Sequence, residues 1–485
     1  MTRLNNFIFS SLLLVFITPV SNAQTMTYEQ VLQRVVDYYP SLKTAAIQTE
    51  RAKQEYIKVQ SQLGWQLGAQ AGITHDVSLF GIPTDTINLG GSLSRQIESG
   101  GALSFSAGVN RDDADSSFSP AIPNPATRTS LDVNYRLPFG KGSDNPVYAQ
   151  ALINSKAGEL IAEAQRRGLN DQLAGQLIDV FIAAATTQAR IKNVEEAIKR
   201  SKRLQAYIKD RAGLGLSEEK DILQVKAQLV AREAELRGLE MLWQQQRVSI
   251  NRLMGMHYDN DINPSYKENV NLPEVPFENL VREVNAHNAA LLQTQARLQL
   301  ADSAIALSRD ARKDQLDLVM FLGNRTNSGD TVSGSVDDSE VVGGLSIEFN
   351  RGIDRSGYDA ELYQAQLDRG AALEDQKQIM QDLGYDISSL LAEIKAGQNA
   401  LAAYELSVRS EQAKLKEAEQ RYRAGRTDTD QLIQFESQLS AAELALELQR
   451  IELARRDRRL GLLRGEIWKN IQMPNYDYLS EGVQQ

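Results

Sequence analysis

The feature that most constrains this chain is that it writes one long stretch twice. Displaced by roughly 210 positions, residues 137–255 fall on residues 347–465 without a gap, the fixed-offset similarity of a repeat architecture. Phe139, Gly142, Asp144 and Tyr148 meet Phe349, Gly352, Asp354 and Tyr358. Farther on, Arg211, Gly215, Gln224, Leu229 and Gly255 meet Arg421, Gly425, Gln434, Leu439 and Gly465. Whatever the first copy folds into, the second must fold into as well.

Each copy reads as a very long helix, a tight turn and a return helix. From Pro146, suited to a helix start, to Arg211 there is no further proline, and about 65 residues at 1.5 Å each make a rod of roughly 100 Å. The return leg carries a seven-residue ladder, Ile222, Leu229, Leu236, Trp243 and Ile250, repeated as Leu432, Leu439, Leu446, Leu453 and Leu460. Such a ladder is a coiled-coil seam. Between the rungs stand Arg232, Gln246, Gln449 and Arg456, where a dry two-helix seam would hold leucine. A wall of helices, each with neighbours on two sides, accommodates them better than an isolated pair.

The opening is duplicated too, at an offset of roughly 249. Thr27 is a candidate cap for a helix whose Tyr28, Val31, Leu32 and Val35 share one face, Pro40 interrupts it, and Leu42 resumes it. Tyr28 pairs with Phe277, Val31 with Leu280, Val35 with Val284 and Leu42 with Leu291. The two offsets differ by about 39 residues, so the first copy carries an insertion between its opening and long helices.

In those intervals the period changes to two. Leu67, Ala69, Ala71 and Ile73 alternate with polar residues and glycine, as do Leu131, Val133, Tyr135 and Leu137, then Leu316, Leu318, Met320 and Leu322, and Val341, Leu345, Ile347 and Phe349. The insertion resembles another hairpin, with Ile87, Leu89 and Leu93 on one limb, a turn near Gly100, and Leu103, Phe105, Ala107 and Val109 on the other. The polar stretches 112–129 and 324–340 read as loops at the exposed end of a barrel. A small soluble sheet packed on the helices is the other reading of the alternation. Against it, Asp132, Asn134 and Arg136 in one row suit a water-filled lumen. Four to six strands cannot close around a channel, and open edges are not tolerated in lipid, so a membrane barrel requires several chains.

Composition narrows the function. The net charge of -10 argues against nucleic acid as a partner, and the absence of cysteine excludes disulfides and thiolate metal sites. His75, His257 and His287 are scattered and read as ordinary surface or interface histidines; no cofactor is implied. No phosphate loop, nucleophile with a base, or metal-ligand spacing is present, so no enzyme is predicted. Arg3, the apolar run 7–20 and the small residues Ser21-Asn22-Ala23 predict a secretory signal over residues 1–23, with an uncleaved anchor as the alternative. The predicted organisation is a first repeat over 24–256, a linker over 257–276, a second repeat over 277–465 and a tail over 466–485, in which Trp468 and Tyr476 are candidate belt residues.

The opening Thr27-Tyr28-Glu29-Gln30-Val31-Leu32 through Pro40-Ser41-Leu42, its second copy at Phe277, and the motif Arg421-Tyr422-Arg423-Ala424-Gly425 resemble the outer-membrane efflux protein family, the TolC-like exit ducts of Gram-negative bacteria. That resemblance implies a mainly α fold with a β-barrel part. It implies a homotrimer in which each chain gives four strands to a shared twelve-stranded outer-membrane barrel, above a helical tunnel crossing the periplasm. It implies a passive exit duct of a tripartite efflux pump or type I secretion system, with a periplasmic adaptor (membrane fusion protein), an inner-membrane transporter and outer-membrane lipid as partners. A periplasmic adaptor and a structural coiled-coil tether are the alternatives, but neither explains a recurring helix-strand-strand-helix unit.

By position, the resemblance makes Gly213, Gly215, Leu216 and Ser217 the first adaptor-contact tip and Gly425, Arg426 and Thr427 the second. Tyr422 matches a tyrosine that helps latch closed tips. Where the best-known members place two aspartates in a ring, this chain has Gln431 and Gln434, which supply no fixed negative charge. Asp428 and Asp430, one turn nearer the tip, are candidate substitutes, or simply caps that complement a helix N-terminus.

Overall fold

The computed structural model describes residues 24–77, 81–117, 119–213, 218–265 and 275–473. The expected signal segment, Gly215, Leu216 and Ser217 of the first tip, and Tyr476 lie outside the described residues. The chain forms two compact units, and each draws on both repeats. One takes the chain up to Pro40, Asp171–Val284 and the part from Asp386; the other takes Ser41–Asn170 and Asn285–Tyr385.

In the first unit, β1 (Gln24–Thr27) leads into α1 (Tyr28–Tyr38). Thr27 caps α1 through a capping box: the Gln30 amide donates to Thr27 Oγ1 at 3.4 Å, and the Thr27 amide donates to Gln30 Oε1 at 2.9 Å. The predicted face of α1 is buried, with Tyr28, Val31, Leu32, Val35 and Val36 all at 2% exposure or less. Each such aliphatic side chain contributes about 1.5–3 kcal/mol. Pro40 then opens α2 (Pro40–Gln60), which ends in a 3-10 turn before the next strand.

That strand, β2 (Gln66–Val77), is followed by β3 (Pro83–Gln96), β4 (Ala102–Ala114) and β5 (Ala126–Pro138). The chain next enters α3 (Pro146–Gly213), and after the first tip it returns as α4 (Glu219–Leu253). A short strand, β6 (Ile262–Ser265), lies in the predicted linker and pairs in parallel with β1. The second copy follows: α5 (Phe277–His287), α6 (Ala289–Ala311), β7 (Gln315–Thr331), β8 (Gly334–Asn350), α7 (Ser356–Arg423) and α8 (Thr429–Leu463).

The repeat is faithful in the helices. Both α3 and α7 are 68 residues, roughly 100 Å each at 1.5 Å per residue, and α4 and α8 are 35 residues each. Both return helices stop at a left-handed glycine, Gly255 at φ 64° and Gly465 at φ 69°. A Cβ at Gly255 would also fall inside the Tyr38 ring, which would have to swing aside.

The ladder is the packed side of each return helix. On α4, Leu229 and Ile250 are buried and Ile222, Leu236 and Trp243 half-buried; Arg232 and Gln246 are half-buried between them. On α8, neighbours stand on both flanks. Asn193 of α3 donates to the Ser440 carbonyl at 2.9 Å and accepts from Ser440 Oγ at 2.9 Å. On the other side, Gln449 donates to the Gly397 carbonyl of α7 at 3.1 Å, and Arg456 pairs with Glu393 at 3.1 Å. The polar rungs of α8, Gln449 and Arg456, are thus met by α7, whereas Arg232 of α4 pairs with Glu235 of its own helix at 3.1 Å. Among the described residues no helix is long and apolar enough to cross a membrane.

The second unit contains one six-stranded sheet in the order β2-β3-β4-β5-β7-β8, with every neighbouring pair antiparallel. This corrects the four strands per chain implied by the resemblance, because the inserted hairpin is ladder-paired to β2 on one side and β5 on the other. It also corrects the loops expected over 112–129 and 324–340. β4 runs on to Ala114, and β7 and β8 continue to a tight turn between Thr331 and Gly334. Backbone pairing persists there where neither face is apolar, so period-two alternation had no signal to detect.

The sheet has two unlike faces. Along one row Leu67, Leu93, Phe105, Val133 and Leu322 are register partners across five strands. The opposite face places Ser92, Ser106 and Asp132 in one row and Asn88, Asn110 and Arg128 in another. At its base Arg136 pairs with the buried Asp317, which Gln315 also holds at 2.8 Å.

Candidate functional site

The resemblance points to the helix turns, and the second turn is fully described. It is built as a helix stop followed at once by a helix start. Arg426 N donates to the Arg421 carbonyl at 2.8 Å and Gly425 N to the Tyr422 carbonyl at 3.0 Å, with Gly425 at φ 71°. This pair of bonds is a Schellman stop, and the left-handed angle explains the glycine. Asp428 then caps α8, accepting from the Gln431 amide at 2.8 Å. Thr427 Oγ1 donates to the Gln431 side chain, fixing that glutamine back onto the turn.

Tyr422 is the centre of this tip, and it faces the protein rather than solvent, at 5% exposure. Its hydroxyl shares a 3.0 Å hydrogen bond with Thr429 Oγ1, itself 2% exposed, so the helix before the turn is tied to the helix after it. Arg211, from α3, donates to the Tyr422 carbonyl at 2.8 Å and lies 5.3 Å from the ring centroid; Tyr207 stacks obliquely with centroids 5.8 Å apart. A cation over an aromatic face adds electrostatic attraction to the packing. Val225, Leu415 and Leu432 close the cluster. Within a single chain, therefore, Tyr422 fastens the second tip to the long helix of the first repeat.

The ring candidates divide. Asp430, Gln431 and Gln434 are exposed, while Asp428 is exposed but committed to its cap. One turn deeper stands a carboxylate that sequence reasoning missed, Glu436, which is 5% exposed. Arg200 Nε reaches it at 3.2 Å, Gln228 Nε2 donates to it at 3.2 Å, and Arg200 also reaches Glu443 at 3.3 Å. Three helices, α3, α4 and α8, meet at this one carboxylate. No signal in the linear sequence announces the pairing, because Arg200 and Glu436 come from different repeats.

The first tip differs from the second. Gly213 ends α3, and α4 opens on Glu218, whose amide donates to Asp221 Oδ2 at 3.2 Å in a reciprocal capping box. Lys220 pairs with Glu218 at 3.0 Å. Among the described residues no group of His, Asp and Glu is arranged to hold a metal. His75 contacts Asp85 at 2.6 Å on exposed strand positions.

No family model matches the sequence, and no curated protein matches it. Solved structures do. The outer-membrane channel OprN superposes with a TM-score of 0.64 at 18% identity, covering 90% of this chain and 89% of OprN. The outer membrane protein VceC of Vibrio cholerae gives 0.62 at 16% identity over 91% of this chain and 95% of VceC. The MtrE outer membrane channel of Neisseria gonorrhoeae, in its open state, gives 0.60 at 16% identity over 90% and 88%. This chain's strands, its two 68-residue helices and its two return helices superpose along almost the whole of these chains, and the protein accordingly has the TolC-like outer-membrane channel fold.

Proposed function

We propose that the protein is the outer-membrane exit duct of an export machine, a homotrimer that carries cargo passively from the periplasm to the exterior. The observation that carries this reading is the six-stranded sheet, apolar on one face and polar on the other, with both edges unpaired among the described residues. An edge left open in lipid strands several backbone groups without partners, at several kcal/mol each. Further copies of the chain remove that cost by closing the sheet. Exposed apolar residues on the return and long helices, among them Leu223, Val230 and Met241 on α4 and Tyr385 and Leu406 on α7, give neighbouring copies a surface to bury.

In this reading an inner-membrane transporter supplies the energy, through a tripartite efflux pump or a type I secretion system, and an adaptor docks on the tips. The adaptor contacts are Gly213, Gly215, Leu216 and Ser217 at one tip and Gly425, Arg426 and Thr427 at the other. Tyr422 holds the gate at rest, and Asp428, Asp430, Gln431 and Gln434 line its narrowest level. Glutamines there give a weaker cation preference than a double carboxylate ring. Membrane fractionation and unboiled gel electrophoresis test the proposal. Heat-modifiable trimers extracted from the outer membrane are expected, whereas a water-soluble periplasmic monomer would overturn it.

A further inference from the structure

The inserted hairpin has no counterpart in the second repeat, and its placement decides what kind of opening the protein makes. Resting on the outer-membrane reading above, we infer that β3 and β4 are wall strands of the pore. Each copy then supplies six strands, β8 of one copy closes against β2 of the next, and three copies make an eighteen-stranded barrel with a wide mouth.

Three observations carry this. First, the hairpin is paired over its full length on both flanks, from Thr84–Ala114 to Gln96–Ala102 within itself, with β2 beyond β3 and β5 beyond β4. It is an interior part of the ladder, neither a lid nor an edge appendage. Second, its faces are in phase with the strands around it. Leu93 and Phe105 fall between Leu67 and Val133 in one row, and Leu89 and Val109 fall between Ala71 and Thr129 in another. A hairpin standing in water has no use for an exposed apolar row, yet Leu89 is 54% and Phe105 40% exposed. A one-residue slip would have turned that row to the other side, so the register is specified. Third, an even number of antiparallel strands leaves β2 and β8 running in opposite directions, so the edge of one copy meets the edge of the next in the antiparallel sense already used throughout.

The consequence is size. At a strand spacing of about 4.8 Å and a tilt of about 40°, each strand occupies about 6.3 Å of circumference. Twelve strands then give a backbone radius of about 12 Å and eighteen give about 18 Å. On the polar face the hairpin carries small uncharged groups, Ser92, Ser94, Ser104, Ser106 and Asn88, with Asp112 neutralised by Arg128 of β5 at 2.9 Å, whereas β5, β7 and β8 carry Arg128, Asp132, Arg325 and Glu340 there. The mouth is thus suited to bulky hydrated cargo and filters little by charge in that sector.

The chain has no cysteine, which makes the test clean. Single variants Ser92→Cys and Ser106→Cys on the polar face, and Leu93→Cys and Ala107→Cys on the apolar face, are labelled in intact outer membranes with a charged, water-soluble maleimide. Ser130→Cys and Leu131→Cys on β5 serve as controls. The expected result is labelling at least tenfold faster at Ser92 and Ser106 than at Leu93 and Ala107, the same alternation as on β5. Trimers in the outer membrane with alternation on β5 but fast labelling of both hairpin faces would overturn this inference alone. A chain absent from the outer membrane would overturn the functional reading with it. In planar bilayers, removal of residues 83–114 is expected to lower the polymer-exclusion radius of the outer mouth by about a third, as the drop from eighteen to twelve strands requires; an unchanged radius in folded trimers also sinks the proposal.

Discussion

The two repeats agree where they are helical and disagree where they are sheet. The long helices match at 68 residues and the return helices at 35, yet the first copy contributes four strands to the shared sheet and the second only two. The difference shows which dimension each element controls. A residue added to a return helix shifts every later rung of its ladder by about 100° and misaligns its seam with the long helix. A hairpin added to an antiparallel sheet returns the chain to the side from which it left, so the next helix starts where it did before. The lengths of the long and return helices are therefore locked between the copies, and strand number is free to change in steps of two.

The tips disagree in a second way. At the positions of Tyr422, Thr429 and Glu436, the first repeat has Ala212, Glu219 and Lys226. The buried polar cluster that binds the second tip to α3 has no twin at these positions among the described residues.

Perturbing the deepest member of that cluster gives the largest expected asymmetry. Arg200→Ala leaves the Glu436 carboxylate buried without its cation and is expected to cost about 3 kcal/mol, whereas Ser410→Ala, the exposed counterpart in the other repeat, should change stability by less than about 0.5 kcal/mol. Thermal unfolding of the assembled protein distinguishes them, and equal shifts would mean the two long helices are equivalent after all. Next comes the turn itself. Gly425→Ala must place a Cβ at a left-handed angle and is expected to destabilise the tip by about 1–2 kcal/mol. Gly213→Ala has open space at its Cβ and no such angle, and should stabilise the end of α3 by about 0.5–1 kcal/mol. Amide exchange at the two turns reads both signs at once.

Tyr422→Phe keeps the ring and removes the hydroxyl from Thr429, for an expected loss of about 1 kcal/mol and a larger leak through the resting channel in planar bilayers. A variant as tight as the parent would show that the gate does not depend on this bond. The smallest effect concerns the opening helix. Burial raises the Glu29 carboxyl, but its backbone bond and the Arg458 guanidinium outweigh burial and hold it below the usual carboxylate range. A depressed folded value means the pair's contribution is complete at neutral pH and is lost as the pH falls through that lowered value. Faster exchange of the α1 amides in acid, absent in Glu29→Gln, is the expected signature; identical acid profiles would show that the pair contributes nothing.

Much of this was legible from the sequence, because helices of this length advertise themselves through repeat offset, ladder and caps. Thr27, Pro146, Gly425 and Asp428 each mark a boundary with the chemistry that boundary needs. The insertion was legible as about 39 unmatched residues with period-two alternation. What stayed hidden was partnership. Alternation at Leu89 or Phe105 says which side is apolar but not which strand lies alongside, and so the six-strand ladder emerges only from the pairing. The parallel pair of β1 with β6 is too short, at four residues each, to show any period. Glu436 reads as an ordinary surface glutamate until Arg200 arrives from the other repeat. Tyr422 was found by its motif, while its inward orientation depends on Tyr207 and Arg211, which sit more than two hundred positions earlier.

The even insertion between β2 and β5 has an implication for construction. Under the exit-duct reading, aperture and depth become separate dials: splicing hairpins into or out of that ribbon resets the bore in fixed increments per subunit, while the rods and their turns stay as they are.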